Sequence, residues 1–213
     1  MLIQRKRIGE VKMMKRNKRN VIFWLLLVVF LLCSHGAVAS EMEDRAEDGN
    51  TRRGYIFIGD SRFAALEQNC SISSIPDCFV LAKVSAGYRW MTDEAVFAAY
   101  DIMDSHPEIT DWMIISGFGI NDLHNGEKYA AAYQSLAEAA QVVVLSVNPV
   151  GKGSKIRDEE IVSFNEDMMQ TEGIQYLDTY HFLQESGFYA RDGVHYDAET
   201  NRRLWDMLWE SLF

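Results

Sequence analysis

From Tyr55 onward, short apolar runs of strand length alternate with stretches of helical period, and this alternation limits the possible folds more than any other feature of the chain. The runs are Tyr55 to Gly59, Val80 to Ser85, Trp112 to Ser116, Val142 to Val147 and Ile174 to Leu177. Between them, Val96, Ala99 and Met103, and then Ile161, Phe164 and Met168, recur at i, i+3 and i+7, so one face of each helix meets a core. A last helix from Asp197 carries Leu204, Leu208 and Leu212. Strands that are almost continuously apolar are buried on both faces, which predicts an α/β fold with a five-stranded parallel sheet between two helical layers. Ligands of such sheets bind beyond the carboxyl ends of the strands. Function is therefore expected in the polar clusters just after the runs: Gly59-Asp60-Ser61, Ser85-Ala86-Gly87, Gly119-Ile120-Asn121-Asp122 and Asn148-Pro149. A fifth cluster, Asp192-Gly193-Val194-His195, precedes the last helix.

The segment before Tyr55 has a different character. Eight of its first twenty residues are Lys or Arg, an apolar run from Val21 to Cys33 comes next, and Ala37-Val38-Ala39 stands before Ser40. That is the basic, apolar and small-residue order of an export signal. Thirteen apolar residues fall short of the roughly 17 to 25 that span a bilayer, so cleavage after Ala39 is expected and a retained anchor over 21–39 is the alternative. Cys33 lacks the small preceding residues of a lipidation site and reads as part of the leader. Residues 40–54 carry many charges and no apolar period, a solvated acidic tether to a domain over 55–213. From Ser40 onward the chain holds 13 basic and 30 acidic residues, a balance that repels phosphate backbones and excludes a nucleic-acid role.

Outside the leader only Cys70 and Cys78 remain, and two cysteines in an exported chain read most simply as one disulfide. Two thiols without a second pair make a poor zinc site, and His106, His124 and His181 show no ligand spacing. No metal and no cofactor is expected.

Ser61 directly succeeds the first strand and opens the first helix, where a backbone N–H is free to donate. A serine hydroxyl attacks an ester only with a base in hydrogen-bond reach, itself oriented by a third group. Asp192 and His195 fit that pair, because a carboxylate three residues before a histidine can hold its Nδ1–H and stabilise the imidazolium. An oxyanion needs preorganised donors, for which the Ser61 and Gly87 N–H groups and the Asn121 side chain are the candidates. Taken singly, each has a plainer use: Ser61 as a helix cap, Gly87 as turn punctuation, Asp192-Gly193 as a turn.

Taken in order, Ser61 in Gly-Asp-Ser, Gly87, Asn121 in Gly-x-Asn-Asp, and His195 in Asp-x-x-His resemble the SGNH or GDSL hydrolases. The resemblance covers Tyr55 to Phe213. It implies a flavodoxin-like three-layer α/β/α sandwich and a metal-free serine esterase, with small acyl groups, above all acetyl on carbohydrate, as first substrates. Arg62 stands where the family's namesake motif has leucine, and Phe63 removes the Gly-x-Ser-x-Gly elbow of the other large hydrolase class. Arg62, Tyr88, Trp90 and Asn148 are further candidates for substrate contact. For Arg62 an ion pair with Asp60 or Asp122 is the structural alternative, and for Trp90 packing beneath the loop. The expected partner is a small-molecule or glycan ester, and membrane contact is expected only through an uncleaved leader. A lysophospholipase or thioesterase, an acyltransferase on the same site, and a catalytically silent carbohydrate-binding module are the competing functions.

Overall fold

A computed structural model describes residues 51–213 of the 213-residue chain. The expected export signal, Cys33 and the expected tether up to residue 50 lie outside the described residues. Five strands form one parallel sheet in the order β2-β1-β3-β4-β5: β1 (Arg53–Gly59), β2 (Cys78–Ala82), β3 (Asp111–Gly117), β4 (Gln141–Leu145) and β5 (Gln175–Leu177). This is the doubly wound order in which the chain reverses direction across the sheet between β1 and β3. All five expected strands form. β1 begins two residues before Tyr55, because Arg53 and Gly54 already pair with Asp111 and Trp112 of β3. The Arg52 and Arg53 guanidinium groups also bind Asp77 and Asp111 at 2.6 Å, so these residues belong to the sheet's lower edge and not to the tether.

Alternate strand residues enter opposite cores, the period of two that a pleated strand imposes. Ile56, Ile58, Ile114, Val142 and Val144 face α2 (Val96–Ser105), α3 (Gly126–Leu136) and α4 (Asp158–Met169), packing with Ala99, Tyr129, Tyr133, Ile161, Phe164 and Met168. Phe57, Met113, Ile115, Val143 and Leu145 face α1 (Ser61–Cys70) and α6 (Ala198–Leu212) through Phe63, Leu66, Leu204 and Leu208. The chain is therefore the three-layer sandwich that the apolar runs require. A short helix, α5 (Thr179–Ser186), comes directly after β5. One turn, Tyr88–Trp90, and a π-helical turn, Met91–Ala95, lead into α2. Among the described residues no helix is long and apolar enough to cross a membrane.

The expected disulfide is corrected by the structure: Cys70 and Cys78 are both free thiols. Cys70 ends α1 and turns its Sγ toward the Asn201 carbonyl of α6 at 3.8 Å, whereas Cys78 opens β2 and is buried in the core beneath. Each side chain thus serves a separate packing contact. Burial pushes both thiols up to about 11.

Candidate active site

β1 ends at Gly59, and Asp60 caps the next helix, its Oδ1 accepting the Arg62 N–H at 2.8 Å. Ser61 is the first residue of α1, so its N–H has no intrahelical acceptor and its hydroxyl stands at the carboxyl edge of the sheet. There His195 meets it. The Nε2 of His195 lies 2.8 Å from Ser61 Oγ, and its Nδ1 lies 2.7 Å from Asp192 Oδ2. The other carboxylate oxygen of Asp192 accepts the Val194 and His195 N–H groups at 2.9 and 2.8 Å. Gly193 makes this tight loop possible with φ at +84°, and its carbonyl accepts the Gly151 N–H at 2.8 Å. With two backbone donors and an imidazole on it, the Asp192 carboxyl is held far below the ordinary carboxylate range.

Gly87 opens the turn after β2, and Asn121 sits in the loop after β3. The Asn121 Nδ2 donates to the Ala86 carbonyl at 2.7 Å, which leaves its second hydrogen for an incoming oxygen. The neighbouring Asp122, which the sequence offers as the last residue of Gly-x-Asn-Asp and as a possible partner of Arg62, ties the two loops together. Its Oδ2 accepts the Tyr88 N–H at 2.8 Å and the Asn125 Nδ2 at 3.2 Å, while its Oδ1 accepts the Tyr129 hydroxyl at 2.8 Å. Ser61, Gly87, Asn121, Asp192 and His195 therefore occupy one edge of the sheet, and Ser61, His195 and Asp192 form one hydrogen-bonded chain.

The four residues considered for substrate contact have different surroundings. Among the described residues Arg62 pairs with no carboxylate; its guanidinium donates to the carbonyls of Val194, Asn148 and Pro149 at 3.0, 2.8 and 3.1 Å and lies 4.9 Å from the centre of the Tyr196 ring. The expected ion pair with Asp60 or Asp122 is thus replaced by a carbonyl clamp, because the fork reaches the loop after β4 and the histidine loop at once. Asn148 is 8% exposed, and its Oδ1, buried without a hydrogen-bond partner among the described residues, borders a cavity of about 30 Å3 beneath the Ser61 turn. Tyr88 stacks edge-on against Tyr129. Trp90 packs 5.9 Å from Phe118, with Lys83 over its ring and its Nε1 donating to Glu94 at 2.9 Å. An open cleft of about 400 Å3 begins at Gly87 and runs past Ser85, Lys83, Trp90 and Arg89. Of the other histidines, His106 donates its Nδ1–H to the Ile102 carbonyl, and His181 pairs with Asp178 at 2.6 Å.

No protein-family model and no curated protein matches the chain. Solved structures do. A candidate SGNH hydrolase from Slackia heliotrinireducens is 18% identical, with 77% of this chain and 100% of that one covered and a TM-score of 0.58. The C-terminal catalytic domain of peptidoglycan O-acetyltransferase A from Streptococcus pneumoniae is 16% identical over 76% of this chain and 94% of its own, at a TM-score of 0.51. The lipase Lip_vut3 from a goat rumen metagenome is 16% identical over 76% and 98%, at 0.52. The chain has the α/β fold of the SGNH hydrolases and GDSL-like lipases.

Proposed function

We infer that the chain is a serine ester hydrolase of SGNH type, exported by its leader, that removes small acyl groups, with acetyl on carbohydrate the first substrate class. One observation carries the reading: His195 bridges Ser61 and Asp192 at 2.8 and 2.7 Å, the geometry a general base needs to take a hydroxyl proton and keep its tautomer. Ser61 Oγ attacks the ester carbonyl as its proton passes to His195 Nε2, and Asp192 accepts from Nδ1–H. The oxyanion receives the Ser61 and Gly87 N–H groups and the free Asn121 hydrogen. His195 then protonates the leaving alcohol, and water cleaves the acyl-enzyme by the same steps in reverse order of roles. No metal or cofactor enters this sequence.

The polar lining of the cleft that starts at Gly87, with Ser85, Lys83 and Arg89, supports a polar alcohol over a long lipid chain. Transfer of the acyl group to a sugar hydroxyl is the second reading. It is favoured by the structural likeness to a peptidoglycan O-acetyltransferase domain, and it differs only in what accepts the acyl group from Ser61.

The test is hydrolysis of p-nitrophenyl acetate and butyrate by residues 40–213, with Ser61→Ala as control. Turnover that disappears in the variant supports the nucleophile; equal rates from both proteins overturn the esterase reading and favour a binding module. Adding an acetylated-sugar donor with a free glycan acceptor separates transfer from hydrolysis by product mass. Intact mass of the exported protein tests the leader, since an N-terminus at Ser40 means cleavage and a retained 21–39 segment means an anchor.

A further inference from the structure

We propose that Arg62 is a positioning residue that keeps His195 against Ser61. This rests on the esterase reading and concerns the same site. The side chain leaves the backbone next to the serine and reaches both chain neighbours of the histidine: its Nε donates to the Val194 carbonyl at 3.0 Å, and its Cζ lies 4.9 Å from the Tyr196 ring centre. The remaining arms donate to the carbonyls of Asn148 and Pro149 at 2.8 and 3.1 Å. Tyr196 closes the same ring of contacts, its hydroxyl donating to the Pro149 carbonyl, and the Gly151 N–H donates to the Gly193 carbonyl at 2.8 Å.

Three carbonyls from two loops converge on one planar fork. A guanidinium presents five N–H groups in fixed directions, and an ammonium is a point with three. Arginine alone among side chains satisfies these acceptors simultaneously while placing its charge over an aromatic ring. The histidine loop has no regular secondary structure of its own over residues 191–195, apart from the single bridge between Ala190 and Tyr196 at its margins. Its position over Ser61 is therefore set by side-chain and loop bonds, of which the Arg62 set is the one that starts at the nucleophile's neighbour. A displacement of about 1 Å between base and nucleophile costs on the order of 100-fold in rate.

The experiment compares the wild type, Arg62→Ala and Arg62→Lys on p-nitrophenyl acetate, with and without millimolar guanidinium ion. It adds the downfield proton NMR signal of the His195 Nδ1–H, assigned by its loss in His195→Gln. Arg62→Ala is expected to lose about 10- to 100-fold in kcat with KM kept within about twofold, and to broaden or lose the Nδ1–H signal. Guanidinium restores part of kcat in Arg62→Ala and nothing in Ser61→Ala. Arg62→Lys falls between the wild type and Arg62→Ala. A folded Arg62→Ala with unchanged kcat and an intact proton signal overturns the proposal, as does a change confined to KM, which would make Arg62 a substrate contact. If Arg62→Ala does not fold, an unchanged kcat and signal in Arg62→Lys overturns it equally. If the wild type itself turns over no ester, the esterase reading fails, and the NMR signal still decides whether Arg62 holds the histidine.

Discussion

The Asp122 carboxylate accepts the backbone N–H of Tyr88 at 2.8 Å, and so fastens the loop after β2 to the loop after β3. Those two loops carry Gly87 and Asn121, two of the three donors assigned to the oxyanion. Asp122→Ala removes that fastening and also leaves the Tyr129 hydroxyl, buried in the core, without its acceptor. Charged hydrogen bonds of this kind contribute about 1.5 to 3 kcal/mol. Asp122→Ala is expected to lower Tm and to reduce kcat for p-nitrophenyl acetate by about 10-fold or more, through looser oxyanion donors. Tyr129→Phe leaves the carboxylate free to hold Tyr88 and should lower Tm with kcat nearly unchanged. Equal kcat losses in the two variants would show that stability, not loop placement, is what Asp122 supplies.

Gly87 meets the same carboxylate from the other side. A Cβ at this position would stand 2.6 Å from Asp122 Oδ2, closer than two such atoms approach, so the loop or the carboxylate must move. The backbone angle is not the obstacle, because φ is −139° and any residue adopts it. Gly87→Ala is therefore expected to fold, with a loss of about 100- to 1,000-fold in kcat, the usual cost of one oxyanion donor. Steady-state kinetics beside a thermal melt check this: a variant with wild-type kcat would remove Gly87 from the oxyanion assignment.

The strands are legible in the sequence because burial on both faces leaves a run such as Ile56-Phe57-Ile58 with no polar choice at any position. Ser61, Gly87 and Asn121 are legible for a related reason: a parallel sheet gathers the residues after its strands onto one edge, so sequence order becomes proximity. The Asp-x-x-His pattern is less selective. Asp178 and His181 reproduce the same carboxylate-to-Nδ1 contact at 2.6 Å, and among the described residues no serine hydroxyl faces that ring. Bonds to backbone groups stay hidden in the sequence. Arg62 finds carbonyls up to 132 residues away, and Asp122 finds a peptide N–H, neither of which carries a side-chain signature. The cysteines mislead for the opposite reason: short spacing suggests a bridge, but one sulfur packs toward α6 and the other into the core.

Free thiols make a direct chemical prediction. Iodoacetamide added to the unfolded protein without reductant should label both Cys70 and Cys78. The folded protein should label slowly near neutral pH, because burial pushes each thiol up to about 11 and leaves little thiolate. Reductant should leave Tm unchanged. Two unlabelled cysteines in the unreduced, unfolded chain, together with a Tm that falls on reduction, would establish a bridge after all.

Asp60 contributes a pH dependence of stability opposite in sense to that of a carboxylate held low. Burial pushes its carboxyl up to about 6, against the opposing pull of the Arg62 N–H, the Arg62 charge and His195. In the unfolded chain the same group titrates near 3.9. Between about pH 4 and 6 the folded protein holds a proton that the unfolded chain has released, so this group makes stability fall as pH rises through that window. Asp192 acts in the reverse sense: its depressed carboxyl contributes stability that is present above about pH 4 and lost only below it. The two effects therefore separate on the pH axis. Asp60→Asn keeps a capping acceptor for the Arg62 N–H, since asparagine caps as well as aspartate, and it abolishes the titration. Relative to the wild type, Asp60→Asn is expected to gain stability steadily from about pH 4 to 6 and to level off above it, by up to about 3 kcal/mol. Denaturant melts of both proteins at about one-unit pH steps measure the difference directly. A difference that stays flat from about pH 4 to 7 would mean that Asp60 ionises in its ordinary range, with its charge stabilised by the guanidinium clamp beside it.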